Sequence, residues 1–511
     1  VNVENMQVSL INSAFVGNVA TDATAGLVVG GANPIQLTLE NTVFVGNTGA
    51  EVLSLEQPFE IVGGQVSSNT VTGGSAISIG GSGTLSDTEI VSNTSGAMGI
   101  GPDGAVSAHN LTLRGNTGGG IVSQGVLTLT NSLIENNSGG DWFLVTSVNE
   151  AAPGTERLTL DGCTIRGNSN VPGVVGLSGY AQVRDSVIVG NDNTANDGDI
   201  INIWPSAVQV HLINVLLADN QSARPVVNGN TATGTILLMN VTAAGNSVSN
   251  FPVLAGEGIW TVINTIVWGN TTPGDMLGLG TFSVNYSDIE GGWLGEGNIG
   301  ADPLFRDAAN GDYRLKAGSP CIDAGTANGA PNHDLEGDAR PQNAGHDIGA
   351  DEFVGTPVPN RGTRYVAMTG SDAGPNLCLD PAAPCQTVGH GLDMAQPGDA
   401  IQVAQGTYLE NLAVSKAVTL SGGYVISGTA WLPGGETILD GSGNPTVVGN
   451  WDGKQMVKPA VIRDGAEYKM WTKSVSNPVL APRELGQWGA PVVRFEVGSD
   501  GAGLDGFTIS G

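Results

Sequence analysis

The stretch LTLENTVFVGN, residues 37–47, contains the pattern from which the fold of this chain follows. Two apolar positions alternate with polar ones, a polar corner comes next, and a second apolar pair ends in Gly-Asn. The template returns as VSLINSAFVGN (8–18), LTLTNSLIENN (127–137), LTLDGCTIRGN (158–168), AQVRDSVIVGN (181–191), VHLINVLLADN (210–220) and TVINTIVWGN (261–270). The first half of the chain therefore consists of copies of one structural unit.

The closing asparagine of the template sets the size of that unit. We assign this position to Asn18, Asn47, Asn69, Asn93, Asn116, Asn136, Asn168, Asn191, Asn220, Asn246 and Asn270, at a mean interval of about 25 residues. Short period-two pieces broken by Gly, Asn and Asp predict short strands joined by tight turns. Three such strands per unit predict one coil of a parallel β-solenoid, with about 11 coils in the N-terminal body. An antiparallel sandwich, the alternative, would not repeat one Asn-closed template.

Composition restricts the partners of the chain. The 48 acidic residues outnumber the 19 basic ones, and the formal net charge is −29. Nucleic acids and anionic bilayers both require a basic surface, so neither is an expected partner. The sequence has no run of 18 apolar residues and predicts no membrane-spanning helix.

The four cysteines favour an oxidising environment. Cys378 and Cys385 bracket the short loop CLDPAAPC, and this arrangement predicts a local disulfide. Cys163 and Cys321 are far apart in the sequence and are predicted to be free and buried. A disulfide is typical of an extracellular or cell-surface protein, which is the location we expect.

Residues 298–353 resemble a known family. The elements DPLF, DYRLKAGSPCIDAG, DLEGDARP and DIGADEF occur there in order. This order resembles the segment that closes many bacterial right-handed parallel β-helix surface proteins of the pectate-lyase-like, choice-of-anchor family. Residues 364–424 resemble the opening of the same family, with a first strand, the cysteine loop, a short capping helix in VGHGLDMAQ and a first coil in GDAIQVAQGTY. The resemblance implies an all-β, right-handed parallel β-helix whose parts stand in permuted order, with the cap and first coils of a further β-helix in the C-terminal segment.

The resemblance also predicts where the chain divides. The segments are a β-helix body (1–297), a closing segment (298–353), a linker (354–363), a cap with first coils (364–444), an insertion (445–491) and a further coil (492–511). The insertion contains VKPAVIRDGAEYKMWT and NPVLAPRELGQW, which resemble one blade of the five-bladed propeller glycoside hydrolases. One blade supplies too few carboxylates for a propeller active site, so we interpret it as a decoration or a sugar-contacting flap.

The two ends of the chain predict head-to-tail assembly. The chain starts at Val1 within folded sequence and ends on the strand GLDGFTISG, so we expect a mature product or an excised piece. Stacked coils place the ends of the body about 50 Å apart, whereas the linker reaches at most roughly 35 Å. Closure within one chain thus requires the closing segment to fold back along the body, and joining to the next copy does not. The predicted contact residues are Val1, Val3, Val8, Leu10, Leu504, Phe507 and Ile509.

Candidate catalytic groups are few. Glu40, Asp87, Asp161 and Asp185 stand at the corner position, and we expect Asp161 and Asp185 about one coil apart, as a glycosidase carboxylate pair requires. Most other corner residues are asparagines, so the favoured interpretation is an Asn/Asp ladder. The histidines do not recur at the coil spacing. We therefore expect no catalytic site.

Two acidic regions are candidate calcium sites, because Ca²⁺ prefers oxygen ligands. In the closing segment the candidate ligands are Asp334, Asp338, Asp347 and Asp351, although capping of turns is the favoured role. The stretch DNTANDGD, residues 192–199, lacks a closing Glu, and a solvated turn is favoured there. No other cofactor is expected.

These observations predict a non-catalytic extracellular structural protein that joins copies head to tail into a filament or surface fibre. The expected partner is a further copy of the chain, giving a homopolymer. The alternative is a carbohydrate-binding or carbohydrate-active surface protein, for which the partner is a polysaccharide.

Overall fold

The structure is a computed structural model that describes residues 1–4, 7–21, 23–30, 36–148, 156–355, 362–373, 376–395, 399–410, 412–414, 418–427 and 430–440. It also gives the backbone of strands within 456–464, 467–474, 493–495, 503–505 and 507–510. The chain divides into two compact units. The first contains Val1–Ala317 with Cys321–Thr356, and the second contains Gly318–Pro320 with Pro357–Gly511.

Twelve parallel strands of the described chain stack into what we call the first sheet. They are Asn2–Glu4, Thr24–Gly30, Glu51–Leu55, Ser75–Ile79, Gly96–Ile100, Ile121–Ser123, Val145–Ser147, Gly173–Leu177, Asp199–Ile203, Val227–Gly229, Leu254–Ala255 and Leu277–Gly278. Each strand pairs only with the strands of the coils before and after it.

The second sheet runs alongside, with 21 strands in the described residues. Its first column is Val8–Ile11, Leu37–Glu40, Phe59–Val62, Ser82–Ser86, Ala105–His109, Val126–Thr130, Glu156–Asp161, Ile259–Ile263 and Thr281–Asn285. Its second column is Ala14–Val16, Val43–Val45, Gln65–Ser67, Glu89–Val91, Thr112–Arg114, Leu133–Glu135, Thr164–Arg166, Ile266–Trp268 and Asp288–Ile289. Three long strands, Tyr180–Val189, Gln209–Ala218 and Thr235–Ala244, span both columns.

Smaller elements complete the first unit. The strand Thr48–Gly49 pairs with Thr70–Val71, and Gln221–Ser222 pairs with Ser247–Val248. An antiparallel pair joins Phe305–Asp307 and Asp312–Leu315, and two 3-10 helices lie at Thr194–Asn196 and Ala308–Asn310.

Apolar side chains stack in register inside the coils. Leu53, Ile77, Met98 and Ile121 occupy matching positions on successive strands of the first sheet, and all four are fully buried. Each alternate residue points away from this core, as the two-residue period of a strand requires. The structure therefore confirms the predicted parallel β-helix.

A continuous ladder of buried asparagines runs along one corner of the coils. Each side-chain amide donates to the side-chain oxygen of the next asparagine, at 2.8 to 3.0 Å. The members are Asn18, Asn47, Asn69, Asn93, Asn116, Asn137, Asn168, Asn191, Asn220, Asn246 and Asn270. Nearly every one also donates to a backbone carbonyl of an earlier coil, such as Phe44 for Asn69.

The assignment of Asn136 to this ladder is wrong. Asn136 is exposed with a φ of 55°, and its neighbour Asn137 is the buried member. The residue before each ladder asparagine adopts the left-handed conformation, which Gly takes in most coils, for example Gly115 and Gly167. Because Asn also tolerates this conformation, the Asn-Asn pair of this coil fits the Gly-Asn template.

The closing segment folds back along the second sheet, as closure within one chain would require. The Asn214 side chain donates to the backbone carbonyl of His333 at 3.0 Å, and Asn264 donates to that of Thr326 at 2.8 Å. The backbone N–H of Ala350 donates to the Thr242 hydroxyl at 3.0 Å. A separate apolar cluster lies beneath this segment and contains Ala218, Ala244, Ile266, Phe305, Tyr313, Leu315, Cys321, Ile348 and Phe353.

The second unit has its own core and short, mainly parallel sheets, in which Thr419–Ser427 pairs antiparallel with Ala430–Pro433. One sheet contains Thr363–Val366, Ala400–Ala404, Thr419–Ser427, Ala430–Pro433 and Gly503–Asp505, and another contains Gly406–Tyr408, Thr437–Asp440 and Phe507–Ser510. Leu412–Val414 pairs with Val493–Phe495, and Met456–Asp464 pairs antiparallel with Glu467–Ser474. The remaining residues of the blade-like insertion lie outside the described residues, so its resemblance stays a prediction.

One α-helix, Val388–Met394, lies in the second unit within the segment for which a capping helix was predicted. The Thr387 hydroxyl accepts from the N–H of His390, and the Glu410 carboxylate accepts from those of Val388 and Gly389 at 2.9 and 2.7 Å. Side-chain acceptors therefore satisfy the free donors of the first turn. Within the described part of the chain, this helix and the 3-10 turns are too short to cross a membrane.

Candidate functional site

A groove of about 580 Å³ lies on the outer face of the first sheet. Its floor consists of residues that point away from the core, and Ser78, Gly99 and Val122 pair in register along it. The lining extends from Glu56 to Phe143, across five successive coils. Because coils stack at roughly 4.8 Å, the groove is roughly 19 Å long parallel to the β-helix axis.

Glycines keep this floor flat. A Cβ atom at Gly118 would collide with the backbone of Ser95, and one at Gly120 would collide with the carbonyl of Leu144. At Gly99 an added Cβ would lie 3.1 Å from the Ser75 hydroxyl, which is a tight but adjustable contact. The next coil carries Val122 in the matching position. The floor thus combines obligatory glycines with a position that accepts a larger side chain.

Two aromatic residues close one end of the groove. Phe143 is buried, and its ring centroid lies 5.2 Å from that of Trp204 in a tilted arrangement. The Phe143 ring fills the space in which a side chain at Gly173 would stand. The neighbouring Trp142 is 53% exposed and lines the groove. The solvent-exposed indole of Trp142 is therefore next in the chain to a buried, closely packed aromatic residue.

The charges of the groove are negative. Glu56 and Asp103 line it with exposed carboxylates, and Gln124 contributes an uncharged amide. The Glu56 carboxylate lies against Gly80, where any side chain would collide with it. No lysine, arginine or histidine of the described chain lines the groove.

The candidate corner acids take part in local pairs. Strand register places Asp161 opposite Arg184, with which it forms an ion pair of 2.6 Å. Asp185 stands one position later, where it accepts from the Asn214 amide at 2.9 Å and lies 3.1 Å from His333. The expectation that Asp161 and Asp185 share a column is therefore wrong, because Asp161 precedes the left-handed corner residue, Gly162.

The remaining corner residues form amide pairs between coils. Asn110 donates to Asp87 at 2.9 Å, and Asn41 donates to Asn12 at 3.4 Å. Glu40 precedes the corner residue Asn41, as Asp161 precedes Gly162. The corner therefore has the ladder geometry that the sequence favoured over a carboxylate pair.

The four candidate calcium ligands of the closing segment serve mainly as caps. Asp334 accepts backbone N–H bonds from Glu336, Asp338 and Glu352 at 2.8 to 3.0 Å. Asp347 and Asp351 likewise accept backbone N–H bonds, at 2.7 Å each. Asp338 is exposed.

Two of these acids approach a residue that sequence reasoning missed. Ligand oxygens of Asp334, Glu336 and Asp351 lie within 4.8 Å of one another, beside a cavity of about 280 Å³. Glu336 stands in the DLEG turn, and only the fold of that turn shows its proximity to Asp351. Calcium binding here stays a prediction.

The acids of this cluster predict a pH-dependent closing segment. Glu336 is exposed overall, but partial desolvation of its carboxyl, with repulsion from Asp351 and Asp334, raises the pKa of Glu336 to about 7, and burial raises the pKa of Asp351 to about 6. A raised folded-state pKa adds stability at low pH that is lost as the pH rises through it. We expect hydrogen exchange of residues 298–353 to speed up between pH 5 and pH 8, after correction for the intrinsic rate.

Matched variants isolate the contribution of Glu336. Glu336→Gln should weaken this pH dependence, and Glu60→Gln, an exposed change on the second sheet, should leave it intact. An identical pH profile in Glu336→Gln would contradict the assignment. Protection by Ca²⁺ at pH 8 in the wild type, but not in Glu336→Gln, would support the calcium prediction.

In the second candidate calcium region, residues 192–199, the acids at the two ends have different structural roles. Asp192 accepts from the backbone and hydroxyl of Thr194 at the start of a 3-10 turn. Asp199 is buried on the first sheet, where the amides of Asn202 and Asn228 donate to it. Burial raises the pKa of Asp199 to about 6. The two acids therefore do not face a common point.

Within each unit, the predicted assembly residues lie on or next to strands that have one strand partner among the described residues. Val1 is 72% exposed, Val3 pairs with Val29 through its strand, and Val8 and Leu10 pack partly buried against the core. The strands of Leu504, Phe507 and Ile509 pair with residues Leu420, Thr437 and Leu439. Head-to-tail contact between copies stays a prediction.

The cysteines occupy the expected environments. A disulfide joins Cys378 and Cys385, with the two Cα atoms 5.1 Å apart. Cys163 and Cys321 are buried and form no disulfide within the described residues. Burial raises the pKa of the Cys163 thiol to about 11, which keeps it protonated and unreactive.

Comparisons with known proteins add little to this description. No family model matches the chain, and no curated protein matches it. Among solved structures, a match is found to the crystal structure of pectate lyase Pel9A, with 14% sequence identity and a TM-score of 0.38. The match covers 68% of this chain and 87% of the other. A likeness this low says nothing about what the present chain binds.

Proposed function

We propose that this chain is a non-catalytic, extracellular or cell-surface β-helix scaffold that binds an extended polysaccharide in the groove of the first sheet. The observation that carries the proposal is the flat floor of Ser78, Gly99 and Val122 beside the exposed indole of Trp142. Functional sites are generally concave and contain a few placed polar groups among apolar surface.

The shape and chemistry of the groove suit sugar rings. Glycines at the floor leave room for a ring to lie along the sheet, and the hydroxyls of Ser75 and Ser78 supply hydrogen-bond partners. Aromatic rings present a flat apolar face, and Trp142 offers such a face at one end. Since the groove runs parallel to the axis, it accommodates a short stretch of a long chain.

Two features support the proposed location and the absence of catalysis. The Cys378–Cys385 disulfide suits an oxidising compartment. The corner acids Asp87, Asp161 and Asp185 are bound to Asn110, Arg184 and Asn214 and lie on the second sheet, away from the groove floor. These pairings favour a structural role for the acids over a hydrolase pair.

Replacing Trp142 with alanine tests the proposal. If the indole stacks on a sugar ring, Trp142→Ala should weaken binding by about tenfold or more, equivalent to about 1.4 kcal/mol. Affinity electrophoresis in gels containing glucans, xylans or mannans gives the measurement. Ile259→Ala, which removes an exposed apolar side chain from the second sheet, is the matched control and should have no effect.

A second variant tests the floor of the groove independently of Trp142. Gly99→Phe fills the floor at a position where the neighbouring coil already carries Val122, so we expect a folded protein that binds no polysaccharide. Retention of wild-type binding by both Trp142→Ala and Gly99→Phe would place any glycan elsewhere.

Head-to-tail assembly remains a second proposal. The strand Val8–Ile11 pairs with Leu37–Glu40 on one side, and its other edge has no strand partner within the described residues. Open strand edges accept additional strands. Negative-stain electron microscopy of the purified chain should show filaments with a regular axial repeat, and dispersed single particles would end this proposal.

A further inference from the structure

We propose that the groove selects neutral polysaccharides and rejects polyuronates, the polymers of acidic sugars. This inference rests on the proposed function, because it names the class of polysaccharide that the same groove binds. It follows from the charges that line the groove and from the ion pairs of two arginines in the coils that form it.

Negative charge flanks the floor without compensation. Glu56 and Asp103 are exposed carboxylates of the lining, and no cationic side chain of the described residues joins them. A polyuronate lying along the floor would place several carboxylates within about 10 Å of these two, which is the screening length at 0.1 M salt. Like charges at this range repel, and the net charge of −29 adds to the repulsion.

Two arginines of the coils that form the groove are already bound to a carboxylate. Arg114 and Arg166 lie on the second sheet, and both form ion pairs with Glu135, at 2.8 and 2.7 Å. Carboxylate recognition usually depends on the paired donors of a free guanidinium. The groove offers hydroxyls and an amide instead, which are suitable partners for sugar hydroxyl groups.

Polymers that share a backbone and differ in charge test the selectivity. The pairs are hydroxyethyl cellulose with carboxymethyl cellulose, and methyl-esterified homogalacturonan with its de-esterified form. At low salt, the full chain should bind the neutral member of a pair at least about tenfold more tightly than the acidic member. The ratio should fall in 0.5 M NaCl, at which the screening length is below about 8 Å.

A charge-neutral variant assigns the selectivity to the groove. In Glu56→Gln/Asp103→Asn the neutral-to-acidic affinity ratio should fall below about threefold, since the local repulsion is removed. The control Glu60→Gln/Asp275→Asn changes the net charge equally at exposed positions outside the groove, and it should retain the ratio.

The possible outcomes distinguish a failure of the selectivity from a failure of polysaccharide binding itself. Equal affinity of the wild type for both members of each pair would overturn the selectivity and leave polysaccharide binding intact. Tight polyuronate binding that requires Ca²⁺ and is lost in EDTA would also overturn it, because a bound cation would then offset the carboxylates. If the chain binds neither these polymers nor the glucans, xylans and mannans, both the selectivity and the polysaccharide binding are overturned.

Discussion

Replacing Asn116 with alanine is expected to lower the free energy of unfolding by about 4 kcal/mol or more, because five side-chain hydrogen bonds are lost in a fully buried site. The Asn116 amide donates to the Ile90 carbonyl and to the Asn137 side chain, both at 2.9 Å, and to the Arg114 carbonyl at 3.4 Å. Its oxygen accepts from the backbone and the side chain of Asn93, both at 3.0 Å.

The cost is large because the partners remain buried without replacements. Alanine leaves the Asn93 backbone N–H and part of two neighbouring amides unsatisfied, and each such group costs about 1 to 3 kcal/mol. Water has no access to this corner, since Asn93, Asn116 and Asn137 are all fully buried. The damage therefore spreads to the coils on both sides.

Urea unfolding of two further variants separates this effect from a general loss of asparagine. Asn18→Ala removes the exposed first member of the ladder, whose side chain bonds only forward to Asn47, and should cost about 1 kcal/mol. Asn196→Ala, in an exposed 3-10 turn, should cost less still. Equal losses at Asn18 and Asn116 would show that the ladder acts through backbone conformation instead of amide bonding.

The same ladder shows what the sequence could reveal about the fold. Short alternating pieces, an asparagine corner and a repeat of roughly 25 residues led directly to a parallel β-helix, because few other folds satisfy all three. The error at Asn136 arose because Asn fits both the left-handed position and the ladder position. Only stacking against Asn116 and Asn168 distinguishes the two.

The groove was not predictable in the same way. Its floor residues Ser78, Gly99 and Val122 share no chemical type, and successive coils vary in length, with 31 residues between Asn137 and Asn168 but 21 between Asn116 and Asn137. A column of small outward residues is therefore hidden until strand register aligns it. Trp142 stands between strands, where no repeat pattern applies.

Removal of the Glu352 carboxylate is expected to have the second large effect, which is the release of the closing segment. The Glu352 and Arg340 side chains are fully buried and form an ion pair of 2.9 Å. Arg340 also donates to the backbone carbonyls of Gly349 and Ala350, and Glu352 accepts from the backbone of Gln342 and Asp347. This pair thus organises the turns that lie on the second sheet.

Breaking a buried pair from one side costs about 3 to 5 kcal/mol, because the remaining charge has no partner. In Glu352→Ala the Arg340 guanidinium stays buried, and burial already lowers its pKa by disfavouring the charged form. We expect residues 298–353 to become sensitive to limited proteolysis and to lose amide protection. The coils before residue 148 should keep their protection, since within the described chain the hydrogen bonds that join the segment to the body involve residues from Asp185 onward.

The milder variant Glu352→Gln tests whether the nearby Asp347 can replace Glu352 as the charge partner of Arg340. Burial, with repulsion from Glu352, raises the pKa of Asp347 to about 8. Both variants remove the Glu352 charge and so favour ionisation of Asp347, which can then offset Arg340, but glutamine also keeps a side-chain oxygen that can accept from the backbone N–H of Gln342 or Asp347. We therefore expect Glu352→Gln to release the segment far less than Glu352→Ala, and Glu352→Gln/Asp347→Asn, which lacks the compensating charge, to release it fully. Glu296→Gln, at an exposed acid bonded to Tyr286, is the control. Equal protection in the wild type, Glu352→Ala and the double variant would mean that packing of Phe305, Tyr313 and Phe353 holds the segment without the ion pair.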